Sequence, residues 1–298
     1  MSAGPAGTTV GVIGLGTMGR PIAHRLLDAA ARVQVHSRHD TLRNEFESAG
    51  ASWCGTPLEA ASGAAVVLIV VATEPDLAGV LAGLGRWPAS IGPRVVVCDL
   101  GTHSPPAVLE ADAIVRAAGG IFLDTPISGG VEGALAGSLS LMAGGDVAAL
   151  DRARPVLRTF ASTIVHFGPV GSGQVAKACN QLLVGSTIEA VAEALTLARL
   201  SGLDVALVRE ALLGGYASSR VLEIHGRRML DGAFGPGGAR VDIHAKDARI
   251  VLDQAKRVGL ALPGFEPVAA ALETLIAEGD GGLDHSALIT LLGRDEPV

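Results

Sequence analysis

The chain has 298 residues, 49% hydrophobic and 18% charged, with 40 glycines but only 6 Phe, 2 Trp and 1 Tyr. Such a composition excludes a disordered chain, which would be polar and highly charged. The formal net charge is −7, from 23 basic and 30 acidic residues. No Lys/Arg block stands out, so a small molecule is the expected partner, and neither nucleic acid nor an anionic membrane surface is.

The length suggests about two domains of roughly 100 to 200 residues each. The opening MSAGPAGTTV lacks a basic n-region, so a cytoplasmic protein is expected. From about residue 8 to residue 168, short β-branched runs alternate with Ala/Leu-rich helical stretches, the pattern of a parallel sheet flanked by helices. The predicted strands are residues 9–13, 33–36, 66–71, 94–98, 120–123, 138–142 and 163–166. The run AAVVLIVVA at 64–72 is far shorter than the roughly 20 residues of a membrane helix and reads as a buried strand.

The first strand runs straight into Gly14-Leu15-Gly16-Thr17-Met18-Gly19, and residues 20–30 then look helical. A GxGxxG at a strand-to-helix turn suits a dinucleotide: Gly14 for the tight turn, Gly16 for backbone approach to a pyrophosphate, Gly19 for close helix–strand packing. The bland alternative is a glycine-rich turn. An NAD site usually ends its second strand on an acid that holds the ribose 2′-OH. Here Ser37 stands in that place and Arg38 follows, suited to a 2′-phosphate and to stacking on adenine, so NADP(H) is favoured over NAD(H). Arg38 could equally be a solvated loop charge, and Asp40 weakens the preference.

After the fifth predicted strand comes DTPISGGV (124–131). Pro126 stiffens this loop, and Ser128, Gly129 and Gly130 can turn a hydroxyl and backbone N–H groups toward a carboxylate. The tripeptide also suits an ordinary turn. Beyond residue 173 the texture becomes helical, beginning with one helix of about 27 residues, some 40 Å long, too long for a crossover and too polar for a bilayer. Near its start Lys177, Asn180 and Gln181 share a face at i, i+3 and i+4. Burial disfavours the charge of a lysine and suits it to proton transfer; a lysine snorkelling from a helix end is the commoner case. Breaks follow at 214–215, 232–238, 263–264 and 279–282, and Lys246 stands near the start of a further helical pattern, either reaching a cofactor or solvated. The domains read as 1–168, α/β, and 169–298, all-helical.

Three widely spaced cysteines, Cys54, Cys98 and Cys179, argue against a disulfide framework or a zinc site, and the eight histidines show no ligand spacing. No metal is expected, and Cys179 reads as a packing residue.

Taken in order, GLGTMG, VCDLGTHSP, FLDTPISGGVEGALAGSLSLMAGGD, GSGQVAKACNQ and HAKDARIVLDQAKRVGLALP resemble the β-hydroxyacid dehydrogenases over nearly the whole chain. Within that family, SRVLEIHGRRM and LDHSAL look most like the tartronate semialdehyde reductase branch. The resemblance implies a Rossmann-like domain followed by a helical domain like the C-terminal one of 6-phosphogluconate dehydrogenase. It further implies a catalytic Lys177, a helix amide at Asn180 with Gln181 beside it, and a substrate-carboxylate loop at Ser128, Gly129 and Gly130. Thr102 then matches a contact near the nicotinamide ribose, and Lys246 matches a cofactor-facing lysine. The implied substrate is a small carboxylated aldehyde or β-hydroxyacid, and the implied assembly a homodimer or homotetramer. Ser37-Arg38 departs from the family's usual acidic or Asn-Arg ending of the second strand. Imine reductases share the scaffold but place another residue, often Asp or Tyr, at the lysine position, so Lys177 argues against an imine or ketone reductase. A catalytically silent dinucleotide-binding scaffold would need neither Lys177 nor Ser128.

Overall fold

A computed structural model of the chain describes residues 4–84, 95–235 and 239–293. In chain order it contains β1 (Thr9–Ile13), α1 (Gly19–Asp28), β2 (Arg32–His36), α2 (Arg43–Ser48), β3 (Ser52–Trp53), α3 (Pro57–Ala61), β4 (Val66–Ile69), α4 (Glu74–Leu84), β5 (Val96–Asp99), α5 (Pro105–Ala117), β6 (Ile121–Asp124) and β7 (Ile127–Ser128). Then come α6 (Gly130–Ala136), β8 (Leu139–Gly145), α7 (Val147–Leu157), β9 (Ala161–Gly168), α8 (Ser172–Leu200), α9 (Val205–Leu213), α10 (Arg220–Asp231), α11 (Val241–Arg257), α12 (Glu266–Ala277) and a 3₁₀ helix (His285–Leu291). The chain forms two compact units, divided inside α8 between Lys177 and Ala178.

The first unit is built on one sheet in the order β3-β2-β1-β4-β5-β6-β8-β7, with β9 beside β8. β4 (VVLI) and β5 (VVCD) are buried at every residue because helices cover both faces, which is why they read as continuous apolar runs rather than alternating ones. On one face Val12, Leu68, Cys98 and Leu123 pack with Ile22 and Leu26 of α1 and Leu150 of α7. On the other, Val67, Ile69, Val97 and Phe122 pack with Leu77 and Leu81 of α4 and Val108 and Val115 of α5.

The sheet is not wholly parallel, contrary to the sequence expectation. From β3 to β6 every pairing is parallel, but β8 runs antiparallel to both β6 and β7 and parallel to β9. A parallel crossover needs a dozen or more residues, and the short connection through α6 admits only the antiparallel return. Two strands escaped the sequence reading, β3 and β7, each of two residues and too short to show a period. Ser128 therefore lies on a strand rather than in a loop. Residue 94, predicted to open a strand, and residues 236–238 of a predicted break lie outside the described residues.

The second unit is helical. Ile188, Ala192 and Leu195 of α8 pack with Leu222 of α10, Val241 and Val251 of α11, Leu272 and Leu275 of α12 and Leu288 of the 3₁₀ helix. The expectation that α8 is too polar for a bilayer does not hold by composition: its 29 residues include an 18-residue window of mean hydropathy 1.2, long and apolar enough to span one. A core helix passes the same test, and the apolar residues just named are buried in protein. Cys179, expected to pack, is instead exposed, because it stands two residues from the buried Lys177 and so on another side of the helix.

Inside this unit lies a buried polar chain. Asp284 caps the 3₁₀ helix through the Ser286 N–H (2.9 Å) and pairs with Arg228 (2.8 Å). Ser286 Oγ lies 2.5 Å from Asp284 Oδ1 and 2.8 Å from His225 Nδ1. His225 Nε2 is 3.3 Å from His285 Nε2, and His285 Nδ1 is 2.8 Å from His244 Nδ1. Since the Asp284 anion can only accept, Ser286 donates to it and His225 Nδ1 donates to Ser286; each histidine–histidine contact then joins one N–H to one bare ring nitrogen. Ligand atoms of His225, Asp284 and His285 lie within 4.8 Å of one another, a proximity that their spacing in sequence concealed.

Candidate active site

The C-terminal ends of the parallel strands carry the polar groups of the first unit. At the β1–α1 turn Gly14 has φ +99°, and a Cβ there would sit 2.3 Å from the Val70 carbonyl oxygen. A Cβ on Gly19 would meet the Gly14 carbonyl oxygen at 1.9 Å, whereas one on Gly16 would meet nothing within 4 Å. Thus Gly14 and Gly19 are glycines for conformation and packing, and Gly16 leaves backbone that a phosphate can approach. Leu15 is buried, Thr17 is exposed, and Met18 stands at the α1 N-cap without a side-chain cap; no acid occupies the first turn. These N–H groups suit an anion, so the turn fits a dinucleotide pyrophosphate. The sheet order reverses between β1 and β4, the switch point at which open α/β sheets bind such ligands.

Beyond β2, Ser37 and Arg38 lie where an acid is absent. The Arg38 guanidinium, 76% exposed, donates to Asp76 Oδ1 at 2.8 Å, and Asp76 also accepts from the Thr73 hydroxyl at 2.8 Å.

At the ends of β5 and β6 the sheet holds a buried network. The Asp124 carboxylate accepts the Gly171 N–H and the Gln174 N–H, both at 2.9 Å, so it caps the first turn of α8 from the sheet. A Cβ on Gly173 would lie 2.8 Å from Asp124 Oδ2, and one on Gly144 2.3 Å from Asp124 Oδ1, so both glycines admit this carboxylate. Burial pushes the Asp124 carboxyl up to about 6, against the lowering effect of those two N–H bonds. The Gln174 carboxamide spans the turn after β5, accepting the His103 N–H at 3.1 Å and donating to the Gly101 carbonyl at 3.0 Å. Thr102 sits half-buried between those two residues. Asp99 and His103, both fully buried, approach to 3.5 Å.

One turn after Gln174, the buried Lys177 donates from Nζ to the Ile127 carbonyl at 2.8 Å. That bond brings the lysine to β7, next to Ser128, which pairs in register with Ser140 of β8. Gly129 (φ +130°) and Gly130 (φ +64°) take conformations that other residues rarely adopt, and both are exposed.

Asn180, Gln181 and Lys246 belong to the second unit. Asn180 Nδ2 donates to Gln181 Oε1 (2.8 Å), Gln181 Nε2 to Asp247 Oδ2 (2.6 Å), and Lys246 Nζ lies 2.8 Å from Asp247 Oδ1. Asp247, half of the Lys-Asp pair in the α11 sequence, thus accepts from Gln181 and pairs with Lys246, and Asn180 joins them through Gln181.

Two family models account for most of the chain: the NAD-binding domain of 6-phosphogluconate dehydrogenase matches residues 9–168, and the NAD-binding domain of NADP-dependent 3-hydroxyisobutyrate dehydrogenase matches residues 171–292. The 2-hydroxy-3-oxopropionate reductase of Escherichia coli (strain K12) is 38% identical over 284 residues, 95% of this chain and 96% of its own. The chain belongs to the β-hydroxyacid dehydrogenase family. A solved 3-hydroxyisobutyrate dehydrogenase from Salmonella typhimurium superposes with TM-score 0.87 at 28% identity, over 96% of this chain and 100% of its own. An imine reductase from Streptomyces aurantiacus gives TM-score 0.62 at 21% identity, over 96% of this chain and 99% of its own, a likeness of fold alone.

As a β-hydroxyacid dehydrogenase the protein is an oxidoreductase that exchanges a hydride between a nicotinamide dinucleotide and a hydroxyacid–semialdehyde pair. Sequence reasoning passed over Asp124, Gln174 and Asp247. The available signal was an acid ending the apolar strand IFLD, and a glutamine one turn ahead of the lysine in GSGQVAK.

Proposed function

We propose that this β-hydroxyacid dehydrogenase is an NADP(H)-dependent reductase of a short carboxylated semialdehyde, first 2-hydroxy-3-oxopropionate (tartronate semialdehyde) and second the semialdehyde of 3-hydroxyisobutyrate. The observation that carries the reading is the buried Lys177 with its Nζ held 2.8 Å from the Ile127 carbonyl, beside Ser128. The identity shared with the Escherichia coli reductase supports the choice of substrate.

When bound, the nicotinamide supplies or takes the hydride. In reduction Lys177, as the ammonium, gives a proton to the oxygen that becomes the hydroxyl; in oxidation the neutral amine takes it back. Ser128 with the Gly129 and Gly130 N–H groups holds the substrate carboxylate, and Asn180 with Gln181 orients substrate and lysine. Gly14 to Gly19 hold the pyrophosphate through backbone N–H groups, with Leu15, Thr17 and Met18 shaping the turn. Ser37 and Arg38 take the 2′-phosphate, Thr102 the nicotinamide ribose, and Lys246 faces the cofactor. Residues 1–168 bind the dinucleotide; residues 169–298 are the all-helical substrate and dimerisation domain of a cytoplasmic homodimer or homotetramer.

The test is the decay of nicotinamide absorbance with NADPH and with NADH, against tartronate, methylmalonate and succinate semialdehydes and one cyclic imine. Turnover of a carboxylated aldehyde, with Lys177→Ala slower by about 100-fold to 10,000-fold and cofactor binding intact, is expected. Near-normal turnover by Lys177→Ala would remove the lysine from its role, and turnover of the imine alone would move the protein to the rival chemistry.

A further inference from the structure

Between the turn after β5 and the first turn of α8, one buried side chain acts as donor and acceptor at once. Gln174 is 1% exposed. Its carboxamide oxygen accepts the His103 N–H (3.1 Å), its carboxamide nitrogen donates to the Gly101 carbonyl (3.0 Å), and its own backbone N–H is held by Asp124 (2.9 Å). The two side-chain bonds bracket Thr102. One helical turn on, Lys177 is fixed to β7 by its bond to Ile127. A burial this complete could have been served by an apolar residue; the carboxamide suits the site because the turn offers a donor and an acceptor two residues apart, and an amide of that length pairs with both at any pH. The neighbouring glycines agree, since a Cβ at Gly101 would meet the Val71 carbonyl oxygen at 2.6 Å and one at Gly173 the Met142 carbonyl oxygen at 2.5 Å, leaving the turn and the helix start no room to drift.

We propose that Gln174 is a positioning residue that sets the distance between the nicotinamide-side turn at Thr102 and the proton-transferring Lys177. This rests on the reading of Lys177 and Thr102 given under Proposed function. Misplacement of reacting groups by about 1 Å costs on the order of 100-fold, so the clamp acts on turnover more than on affinity. Loss of the clamp lowers kcat per NADPH-binding molecule, counted by stoichiometric NADPH titration so that unfolded protein is left out, while KM and the NADPH Kd stay near wild type.

Gln174→Glu tests the clamp, because a protonated carboxyl reproduces the carboxamide: its carbonyl oxygen accepts from His103 and its hydroxyl donates to Gly101. Ionised, it turns an acceptor on the Gly101 carbonyl and breaks that bond. Burial and the nearby acids Asp124 and Asp99 raise the carboxyl, while the Lys177 ammonium one turn on and the His103 ring act in the other direction. The expected result is a variant kcat about 10-fold to 100-fold below wild type at about pH 8, with the ratio to wild type recovering toward one by about pH 5.5. Gln174→Met, of similar length and without polar atoms, is expected to show the deficit at every pH. Hydrogen exchange at the His103 amide gives a readout without turnover: fast in the Met variant, and fast at high pH but protected at low pH in the Glu variant, after correction for intrinsic rates. Wild-type kcat in both variants, or a deficit in the Glu variant that ignores pH, overturns the proposal while leaving Lys177 in its role. If the wild type reduces none of the panel, the reading of Lys177 fails, and with it the positioning role, whatever His103 exchange shows. Should Lys177→Ala alone stay active, that reading also fails, and the positioning role with it.

Discussion

The two units bury polar groups in opposite ways, and acid acts on them with opposite sign. In the first, Asp124 accepts backbone N–H groups, and burial pushes it up to about 6. Above its ordinary value of 3.8 the folded form holds a proton that the unfolded chain has released, so this group's stabilisation is full below 3.8 and is lost as pH rises through about 6. In the second unit, burial and then the neighbouring His244 and His225 hold His285 well below its ordinary 6.5. Arg228 faces it with the same sign, and Asp284 opposes them. The unfolded chain then takes up a proton that the fold refuses, so stability is lost as pH falls through 6.5. A carboxylate anchored to backbone fixes where a loop and a helix start. Side chains bonded to one another fix how helices pack, at the cost of acid sensitivity.

The largest effect is expected at Asp284. Burial alone would raise its carboxyl, yet His225 and the Ser286 hydroxyl and N–H beside it hold it below the usual range. Asp284→Asn leaves Arg228 without its buried partner and should cost about 3 to 5 kcal/mol in urea unfolding followed by far-ultraviolet circular dichroism. A loss below about 1 kcal/mol would show that the histidine chain does not depend on its anion. Next in size is Asp124→Asn, which removes a titration. The stability of wild type relative to this variant should be greater near pH 4 than near pH 7, by about 3 kcal/mol at most. Trp53 of β3 belongs to the first unit, so tryptophan fluorescence is the probe for this variant. Equal differences at the two pH values would refute the raised carboxyl. The smallest effect on stability belongs to the exposed pair of Arg38 and Asp76, worth about 0 to 1 kcal/mol. Arg38→Ser should nevertheless shift the preference of NADPH over NADH by about 10-fold to 100-fold in kcat/KM, the worth of a charge-assisted bond to phosphate. An unchanged ratio would return Arg38 to the solvent.

Long periodic elements and contiguous motifs were legible in the sequence: the GxGxxG turn, the buried runs of β4 and β5, the single helix α8, and Lys177 with Asn180 and Gln181 along it. What was hidden depends on contacts between distant segments. Asp124 and Gln174 stand 50 residues apart in their mutual bond, and Gln174 reaches back 71 and 73 residues to the turn it clamps. His225 and His285 lie 60 apart, so no local spacing revealed their contact. β7 escaped because two residues display no period, and with it went one of the two antiparallel pairings of the sheet. Cys179 differs for another reason: its setting in a helix suggests packing, but that helix also exposes Leu183 and Leu197.

That exposed thiol makes the chain its own gauge. Cys54 and Cys98 are buried, and burial raises both thiols, so an alkylating reagent finds its nucleophile on α8. The rate at which Cys179 is modified, measured across a dilution series, therefore counts how often that side of the helix is bare, and a rate that slows as the protein is concentrated would time the meeting of two copies without any label added by design.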